Sequence, residues 1–380
     1  MSLEALVNGR VLLDEGLAEG RAVLVEGGRI AAVAEARDPR LRAARTHDLG
    51  GALLLPGFVD CQVNGGGGAL FNDAPSVATI EAIGRAHRRF GTTAFLPTLI
   101  SDDMSVIRRA IEAVREAIAR RVPGVIGIHI EGPFISAARK GAHDGAKVRD
   151  LDARGVTLLA SLGVGRTLVT LAPEVAEPQT IRALADSGVV VSAGHTNATF
   201  EQTLAAFGSG VSGVTHLFNA MSPMTNREPG TVGAALQDPD CWCGLIVDGR
   251  HVHPAVLRLA LRAKSPERFM LVTDAMPSVG SDRDHFLLQG RRIVVKDGVC
   301  VDEHGTLSGS AIGMASAVRN AIDLLGLPLE LAVRMASAHP ARFLRMEGEI
   351  GRIAPGQRAN FVVADERMEV RETWIDGAAA

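Results

Sequence analysis

The sequence predicts an α/β protein, a (β/α)8 TIM-like barrel with a small β-sandwich domain that is built from both chain ends. In the middle of the chain, near-continuous apolar runs alternate with amphipathic segments, which is typical of parallel strands covered by helices on both faces. Toward both ends, short apolar stretches are instead separated by Gly-rich breaks, which favours strands joined by turns. The length of 380 residues suits a barrel with additions.

The two chain ends carry the same pattern of strands and turns. Near the start, Asn-Gly and Gly-Gly breaks interrupt the stretches ALVNGRVLL, AVLVEGGRIAAVAE and THDLGGALLLPG. Near the end, the stretch GRIAPGQRANFVVADERMEVRETWIDGA has a similar pattern. We therefore expect residues 1–55 and 346–380 to pair into one small β domain, which leaves residues 56–345 for the barrel.

The middle of the chain repeats units of one strand and one helix. The stretch DDMSVIRRAIEAVREAIARRV has a strong helical period, and GVIGIHIEG, which follows it, has the character of a buried strand. Further units run to the strand RFMLVTDAM, and their number favours closure into a barrel. The stretch SDRDHFLLQGRRIVVKDGVCVDEHGT breaks the pattern, so we expect an inserted β-hairpin near residues 285–305, before a final helix SAVRNAIDLLG.

Composition and charge exclude several classes of protein. Hydrophobic residues make up 47% of the chain and charged residues 22%, which is ordinary for a soluble globular protein. The net charge is −3 and the basic residues are scattered, so we expect no nucleic-acid partner and no membrane partner. The four cysteines form no CxxC pair and the first residues show no secretory pattern, so the expected location is a reducing cytoplasm.

Polar side chains end several of the predicted barrel strands. They are Glu131, His195, His216, Asp248 with His251 just beyond it, and Asp274. Because the carboxyl ends of all strands in a parallel barrel point to one face, these side chains should lie close together there. A single histidine at a strand end is more often structural, but several such groups on successive strands indicate a functional site.

Histidine and carboxylate side chains together are typical ligands of a transition metal. We expect Glu131, His195 and His216 to hold one divalent ion per subunit, Zn²⁺ in the first place, with Fe²⁺, Mn²⁺ or Co²⁺ as alternatives. A cation there also explains why a carboxylate ends the buried strand GIHIE. The ion would lower the pKa of its water toward about 7, so that Asp274 could take the proton at neutral pH.

Several longer motifs carry a resemblance to a known family. They are, in chain order, LLPGFVDCQVNGGGG, GIHIEGPFIS, RKGAHD, SAGHTNAT, THLFNAMSPMTNREPG, VDGRHVHP, LVTDAM, GTLSGSAIGM and ASAHPARFL. Over almost its whole length, the chain resembles the N-acetylglucosamine-6-phosphate deacetylases of the amidohydrolase superfamily. The resemblance implies a metal-dependent hydrolysis of a linear amide, the acetamide of N-acetylglucosamine 6-phosphate, to glucosamine 6-phosphate and acetate.

The resemblance places the metal on the same three ligands and implies roles for further residues. Asp274 matches the catalytic acid and base, and His143 matches the histidine that polarises the acetamide carbonyl. The substrate-binding set comprises Ala142, His143, Asn219, Ala220, Arg227, Asp248, His251, Leu307, Ser308 and Gly309. In this family Arg227 would bind the phosphate in the neighbouring subunit's site, so the resemblance implies a homodimer or homotetramer.

The first barrel strand indicates how many metal ions are bound. Many amidohydrolases carry HxH there and hold two metals, whereas this chain has Gln62 and Asn64 at those positions. Neutral amides are poor ligands for a second transition metal, so we expect one ion. Asp60 and Cys61 lie nearby, which leaves a weakly held second ion open.

Three alternative functions stay open on the sequence. The substrate could be the galactosamine isomer, N-acetylgalactosamine 6-phosphate. The chain could also be another amidohydrolase, such as a cyclic-amide or aminoacyl hydrolase, which would have no need of Arg227. It could finally be a sugar-phosphate sensor without catalysis, although the intact set of Glu131, His195, His216 and Asp274 weighs against a sensor.

Overall fold

A computed structural model describes residues 3–296 and 298–379 of the protein. The strands are β1 (Glu4–Leu13), β2 (Gly16–Glu26), β3 (Arg29–Glu35), β4 (Arg45–Asp48), β5 (Leu53–Pro56), β6 (Phe58–Val63), β7 (Gly65–Gly66), β8 (Ala69–Leu70), β9 (Thr92–Ile100), β10 (Gly127–Glu131), β11 (Arg166–Leu171), β12 (Val190–Ala193), β13 (Val211–Val214), β14 (Trp242–Leu245), β15 (Phe269–Leu271), β16 (His285–Leu288), β17 (Arg291–Lys296), β18 (Val299–Val301), β19 (Leu307–Ser310), β20 (Phe361–Ala364), β21 (Val370–Ile375) and β22 (Ala378–Ala379). The α-helices are α1 (Val77–Arg88), α2 (Met104–Ala119), α3 (Ala153–Leu159), α4 (Pro178–Asp186), α5 (Phe200–Phe207), α6 (Gly230–Gln237), α7 (Pro254–Ala263), α8 (Met314–Asp323), α9 (Leu329–Ala336) and α10 (Ala338–Phe343).

The two chain ends meet in one mixed sheet. Its strands follow the order β22-β21-β20-β5-β1-β2-β3, with β4 paired to β1. The antiparallel pairing of β20 with β5, from Phe361 opposite Pro56 to Ala364 opposite Leu53, joins the end of the chain to its beginning. Buried apolar side chains from both ends, including Leu6 and Trp374, form the core of this part.

The barrel predicted from the sequence is confirmed. Eight parallel strands follow the order β6-β9-β10-β11-β12-β13-β14-β15. The ring is nearly closed by a parallel bridge between Val63 and Ala275. The backbone N–H groups of Asn64 and Gly65 both donate to the carbonyl of Ala275, at 2.9 and 3.0 Å. The carboxyl ends of β6 and β15 are therefore held side by side, next to the Asp274 carboxylate.

Amphipathic helices cover the outside of the barrel. In α2, the buried residues Ile107, Ile111 and Val114 recur at helical spacing, and the face that they form packs toward β10. The N-termini of α1 and α5 are capped by side chains, Ser76 on the N–H of Thr79 and Thr199 in a capping box. The strands between are buried along their whole length, as β9 and β10 illustrate, which explains their continuous apolar runs.

The segment that was expected to form an inserted hairpin contains four antiparallel strands, in the order β16-β17-β18-β19. Phe286, Leu288 and Ile293 of this inserted sheet pack against Ile100, which is the last residue of β9. The inserted sheet therefore lies over the carboxyl ends of the barrel strands. Among the residues that the structure describes, no helix combines the length and the apolar character needed to cross a membrane.

Candidate active site

Three predicted metal ligands converge at the carboxyl end of the barrel. Glu131 is the last residue of β10, and His195 and His216 follow β12 and β13 by two residues each. The Nε2 atoms of His195 and His216 lie 3.2 and 3.0 Å from Oε1 of Glu131, and 3.1 Å from each other. Within the described residues, this is the group of three whose histidine and carboxylate atoms could share one ion.

The spacing of these three atoms fits a bound cation. Ligands at about 2.0–2.2 Å from a tetrahedral ion lie about 3.3–3.6 Å apart, within a few tenths of an ångström of the observed separations. The Nδ1–H of His195 donates to the backbone carbonyl of Arg139 at 3.0 Å, so its Nε2 carries a lone pair. That lone pair faces a carboxylate oxygen, and two such acceptors repel each other unless a cation lies between them.

The charge on Glu131 is favoured although the side chain is only 2% exposed. Burial alone would raise the pKa of this carboxyl, but the two imidazoles beside it, His195 and His216, favour its charged form and hold its pKa well below the usual value. Glu131 is therefore a carboxylate rather than a neutral acid, and the carboxylate is the form that binds metal.

Backbone strain marks the same site. His195, His216 and Asp274 have φ angles of 47°, 34° and 50°, in the left-handed region that residues with a side chain rarely occupy. Each such residue costs about 1–3 kcal/mol and usually persists where a function requires it. All three lie just beyond a barrel strand, where this turn of the backbone brings the side chain into the mouth of the barrel.

Asp274 is held next to the three ligands by two amides. Its Oδ1 accepts from Nδ2 of Asn64 at 2.6 Å and from Nε2 of Gln62 at 3.1 Å. The same Gln62 nitrogen lies 3.1 Å from both oxygens of Glu131, so it separates two carboxylates without adding charge. Burial and the nearby negative charge of Glu131 raise the pKa of Asp274 to about 6, which suits a base near neutral pH.

Asp60 and Cys61 do not join this group of ligands. Both oxygens of Asp60 are occupied, because Oδ2 accepts from the hydroxyl of Thr273 at 2.5 Å and Oδ1 from the backbone N–H of Gln62 at 3.2 Å. Cys61 is buried in the apolar core beneath the site. Gln62 and Asn64 occupy the positions where two-metal amidohydrolases carry the HxH histidines. In this chain both side chains donate hydrogen bonds to carboxylates.

Replacing Asn64 by leucine is expected to lower the rate of a reaction in which Asp274 acts as the base more at pH 6 than at pH 8, by a factor of a few. The amide of Asn64 donates to the charged form of Asp274 and lowers its pKa. Without this donor, the pKa of Asp274 rises, so a smaller fraction is deprotonated at pH 6, whereas at pH 8 the group stays charged. The measurement is kcat/KM against pH, and an equal loss at both pH values would contradict this role of Asn64.

His143 is buried beside the three predicted metal ligands and is oriented by Ser101. The backbone N–H of Ser101 donates to Nδ1 of His143 at 3.3 Å, and the hydroxyl of Ser101 lies 2.7 Å from the same nitrogen. Since a backbone N–H can only donate, Nδ1 is the acceptor and the proton of the neutral ring resides on Nε2. Burial, followed by the proximity of His195, holds the pKa of His143 well below the usual value, so the ring is a neutral donor.

A cavity of ≈ 500 Å³ opens above the three ligands. Twelve of the predicted site residues line it: Glu131, Ala142, His143, His195, His216, Asn219, Ala220, His251, Asp274, Leu307, Ser308 and Gly309. Its size suits a small ligand such as a monosaccharide derivative. Residues 305–309, which comprise the end of the turn before β19 and the first residues of that strand, form one wall of the cavity.

Two predicted substrate contacts lie outside this cavity. Asp248 lies behind His251, where its Oδ2 accepts from Nδ1 of His251 at 2.6 Å, so it orients that ring. Arg227 is exposed on the loop before α6 and does not line the cavity of its own chain. Asp248 therefore orients a residue of the cavity wall without lining the cavity itself, and Arg227 is exposed to solvent.

Sequence reasoning did not find Ser101 or the backbone carbonyl of Arg139 as parts of the site. Ser101 contacts His143, which lies 42 residues away in the chain, and Arg139 contacts His195, which lies 56 residues away. Ser101 follows the end of strand β9, so extending the search from charged and imidazole side chains to hydroxyls at strand ends could have found it. The carbonyl of Arg139 leaves no signal in the sequence, since every residue has one.

Comparisons with known proteins identify the family. A sequence model of the amidohydrolase family matches residues 53–380. A relative from Shewanella sp. (strain ANA-3), named N-acetylgalactosamine-6-phosphate deacetylase, is 44% identical over 369 residues, which are 97% of this chain and 93% of that protein. A human relative, named N-acetylglucosamine-6-phosphate deacetylase, is 38% identical over 387 residues, covering 98% of this chain and 93% of that protein.

A solved structure has the same fold. The crystal structure of N-acetylglucosamine-6-phosphate deacetylase from Pasteurella multocida superimposes with a TM-score of 0.96 and 34% identity, covering 100% of this chain and 99% of that chain. Together with the matches over nearly the full length, this likeness confirms the family predicted from the motifs. The chain belongs to the amidohydrolase family and, within it, to the deacetylases of N-acetylated amino sugar 6-phosphates.

Proposed function

We propose that this protein hydrolyses the acetamide of N-acetylglucosamine 6-phosphate to glucosamine 6-phosphate and acetate. One observation carries the proposal: a carboxylate, Asp274, and a neutral imidazole N–H donor, His143, face one cavity whose floor is the group Glu131, His195 and His216. A base, an oxyanion donor and a place for a Lewis acid are the three parts that amide hydrolysis by water requires.

The residues present fit a single divalent ion, Zn²⁺ in the first place. When bound, such an ion would lower the pKa of a water molecule and polarise the acetamide carbonyl. The two-histidine, one-carboxylate set supports zinc, although the same donors also accept Fe²⁺, Mn²⁺ or Co²⁺. The lone pair of His195 Nε2 lies 3.2 Å from Oε1 of Glu131. A cation between these two acceptors would stabilise this arrangement.

Asp274 is assigned the proton transfers. Its carboxylate takes a proton from the attacking water as the new C–O bond forms at the acetyl carbon. The Nε2–H of His143 donates to the acetamide oxygen as negative charge develops there. Asp274 then delivers its proton to the amine nitrogen while the C–N bond breaks, which releases acetate and the free amine. A carboxyl whose pKa is about 6 can accept and return a proton near neutral pH.

The rest of the cavity is assigned to the sugar and its phosphate. Asn219, Ala220 and His251 line the cavity, as do Leu307 to Gly309 of strand β19. Arg227, which is exposed, is assigned to the phosphate in the site of a neighbouring subunit, which requires a homodimer or a larger homo-oligomer. We place the enzyme in a reducing cytoplasm, a proposal supported by its four free and buried cysteines.

The galactosamine epimer is the second candidate substrate, because the Shewanella relative carries that name. The experiment that tests the proposed function is acetate release, followed by NMR, from N-acetylglucosamine 6-phosphate and N-acetylgalactosamine 6-phosphate at equal concentrations. A higher kcat/KM on the first supports the proposal, and a higher kcat/KM on the second assigns the enzyme to the epimer. Binding of either sugar phosphate without acetate release would favour a sensor instead.

Replacing Arg227 by alanine is expected to raise KM for the phosphorylated substrate by about 10- to 100-fold, the effect of losing one charge-assisted hydrogen bond. The rate on unphosphorylated N-acetylglucosamine should stay the same, because no phosphate is present to be bound. Arg262→Ala, a change of another exposed arginine, on α7, is the matched control. Equal KM values for wild type and Arg227→Ala would contradict the phosphate role and favour an amidohydrolase of another substrate class.

A further inference from the structure

The inserted sheet reaches the active site through one tight turn. Gln289 and Gly290 join β16 to β17, and their φ angles of 48° and 81° are those of a two-residue type I′ turn. Leu288, just before the turn, packs with Ile100 at the mouth of the barrel. The turn is therefore held against the end of β9, and the side chain of Gln289 is presented to the barrel.

Gln289 makes two hydrogen bonds, and both go to main chain beside His143. Its Nε2 donates to the carbonyl of Ser101 at 2.6 Å, and its Oε1 accepts from the backbone N–H of Asp144 at 2.8 Å. Ser101 is the residue that fixes the ring of His143 through Nδ1, and Asp144 is the next residue after His143 in the chain. One side chain thus ties together the two segments that hold this imidazole.

The loop from 140 to 144 needs this support because its own hydrogen bonds are local. The backbone N–H of His143 donates to the carbonyl of Lys140 at 3.0 Å, within the same turn. Arg291, on the other side of the hairpin turn, donates to the carbonyl of Ala142 and lies 3.8 Å from a carboxylate oxygen of Asp302. The hairpin thus contacts the residues on both sides of His143.

We propose that Gln289 is a positioning residue for His143, and that the inserted sheet completes the active site by fixing the loop that carries this histidine. The kinetic part of the inference rests on the proposed function, in which His143 donates to the acetamide oxygen. Such a donor must lie about 2.7–3.1 Å from the developing oxyanion, and a displacement of about 1 Å can cost about 100-fold in rate. Gln289 acts on the reaction through the placement of that donor and touches no reacting atom.

The kinetic test uses Gln289→Leu, which keeps the volume of the side chain but removes both hydrogen bonds. We expect kcat to fall about 10- to 100-fold, with KM and metal content close to those of wild type, because the lost interaction acts mainly in the transition state. The matched control is Arg292→Ala, which changes an exposed side chain of the same hairpin and should leave kcat unchanged. Unchanged kcat in Gln289→Leu would overturn the proposal.

A double-mutant cycle separates positioning from general stability. If Gln289 acts through His143, adding Gln289→Leu to His143→Gln lowers kcat no further than His143→Gln alone. If the two losses multiply, Gln289 acts by another route and the proposal is overturned. A variant that only destabilises the fold would lower the melting temperature and the yield, while kcat per metal-loaded enzyme would stay the same, which also counts against positioning.

Hydrogen exchange gives a readout that does not depend on activity. In the metal-loaded protein, the amides of residues 140–146 should exchange faster in Gln289→Leu than in wild type, since Asp144 has lost its acceptor. They should be unchanged in Arg292→Ala. If the exchange rates of these amides are the same in Gln289→Leu as in wild type, Gln289 does not hold the loop through Asp144. If the wild-type protein releases no acetate from either sugar phosphate, the proposed function fails, and the exchange comparison alone decides whether Gln289 holds the His143 loop.

Discussion

Replacing Asp274 by asparagine is expected to lower acetate release by about 1,000-fold while the protein keeps its metal. Asparagine has nearly the same shape, and its Oδ1 can still accept from the amides of Asn64 and Gln62, so the cavity should persist. It cannot take a proton from water at neutral pH, however, and general acid–base catalysis contributes about 100- to 10,000-fold. The measurement is kcat on the better of the two sugar phosphates, with metal content determined on the same samples.

The control for this variant is Asp323→Asn, which changes an exposed carboxylate near the end of α8 and should leave both rate and metal content unchanged. The pH dependence of kcat/KM gives a second test. In wild type, protonation of one group should reduce kcat/KM as the pH falls. This decrease should be absent from the residual activity of Asp274→Asn. Turnover by Asp274→Asn at the wild-type rate would show that the base is another group.

Replacing Glu131 by glutamine is expected to remove the bound ion and, with it, nearly all activity. Substitution of residues that only orient a metal ligand typically weakens metal binding by about 10- to 100-fold, so loss of a direct anionic ligand should cost more than about 100-fold. The stabilisation that metal gives to the folded state should shrink accordingly, because it follows the ratio of free metal to the dissociation constant. Metal affinity from competition with a chelator, and the rise in Tm on adding metal, are the two measurements.

Glu201→Gln, a change of an exposed carboxylate on α5, serves as the matched control and should bind metal like wild type. Wild-type protein stripped by a chelator should behave like Glu131→Gln in the activity assay and recover when metal is returned. The variant should not recover at the same metal concentration. Tight metal binding by Glu131→Gln would show that the ion lies elsewhere.

The barrel and most of the site were predictable because each has a signal within a short stretch of chain. The buried strand GIHIE ends in a carboxylate, and parallel strands bring such ends to one face, so Glu131, His195, His216 and Asp274 could be grouped without knowing the fold in detail. Two imidazoles and carboxylates in one place then predict a metal site from the chemistry of the side chains alone. The roles of His143 and Arg227 depended on the resemblance to a family, since neither has a local structural cue.

Contacts between distant segments could not be read in the same way. Gln289 lies 145 residues from Asp144 and 188 from Ser101, and no periodic pattern links an inserted hairpin to a loop of the barrel. The inserted sheet was expected as one hairpin because β18 and β19 are short, Val299–Val301 and Leu307–Ser310, and a polar stretch separates them. The left-handed backbone of His195 and His216 was also unpredictable, since it opposes the intrinsic preference of these residues.

The most direct test of the account is a titration of metal-free protein with a divalent ion, in which acetate release and bound metal are measured on the same samples. The account predicts that activity is absent without metal, rises in proportion to bound ion, and reaches its plateau at one ion per chain, with Glu131→Gln remaining inactive throughout. Full activity in rigorously metal-free protein, or a plateau reached only at two ions per chain, would contradict it.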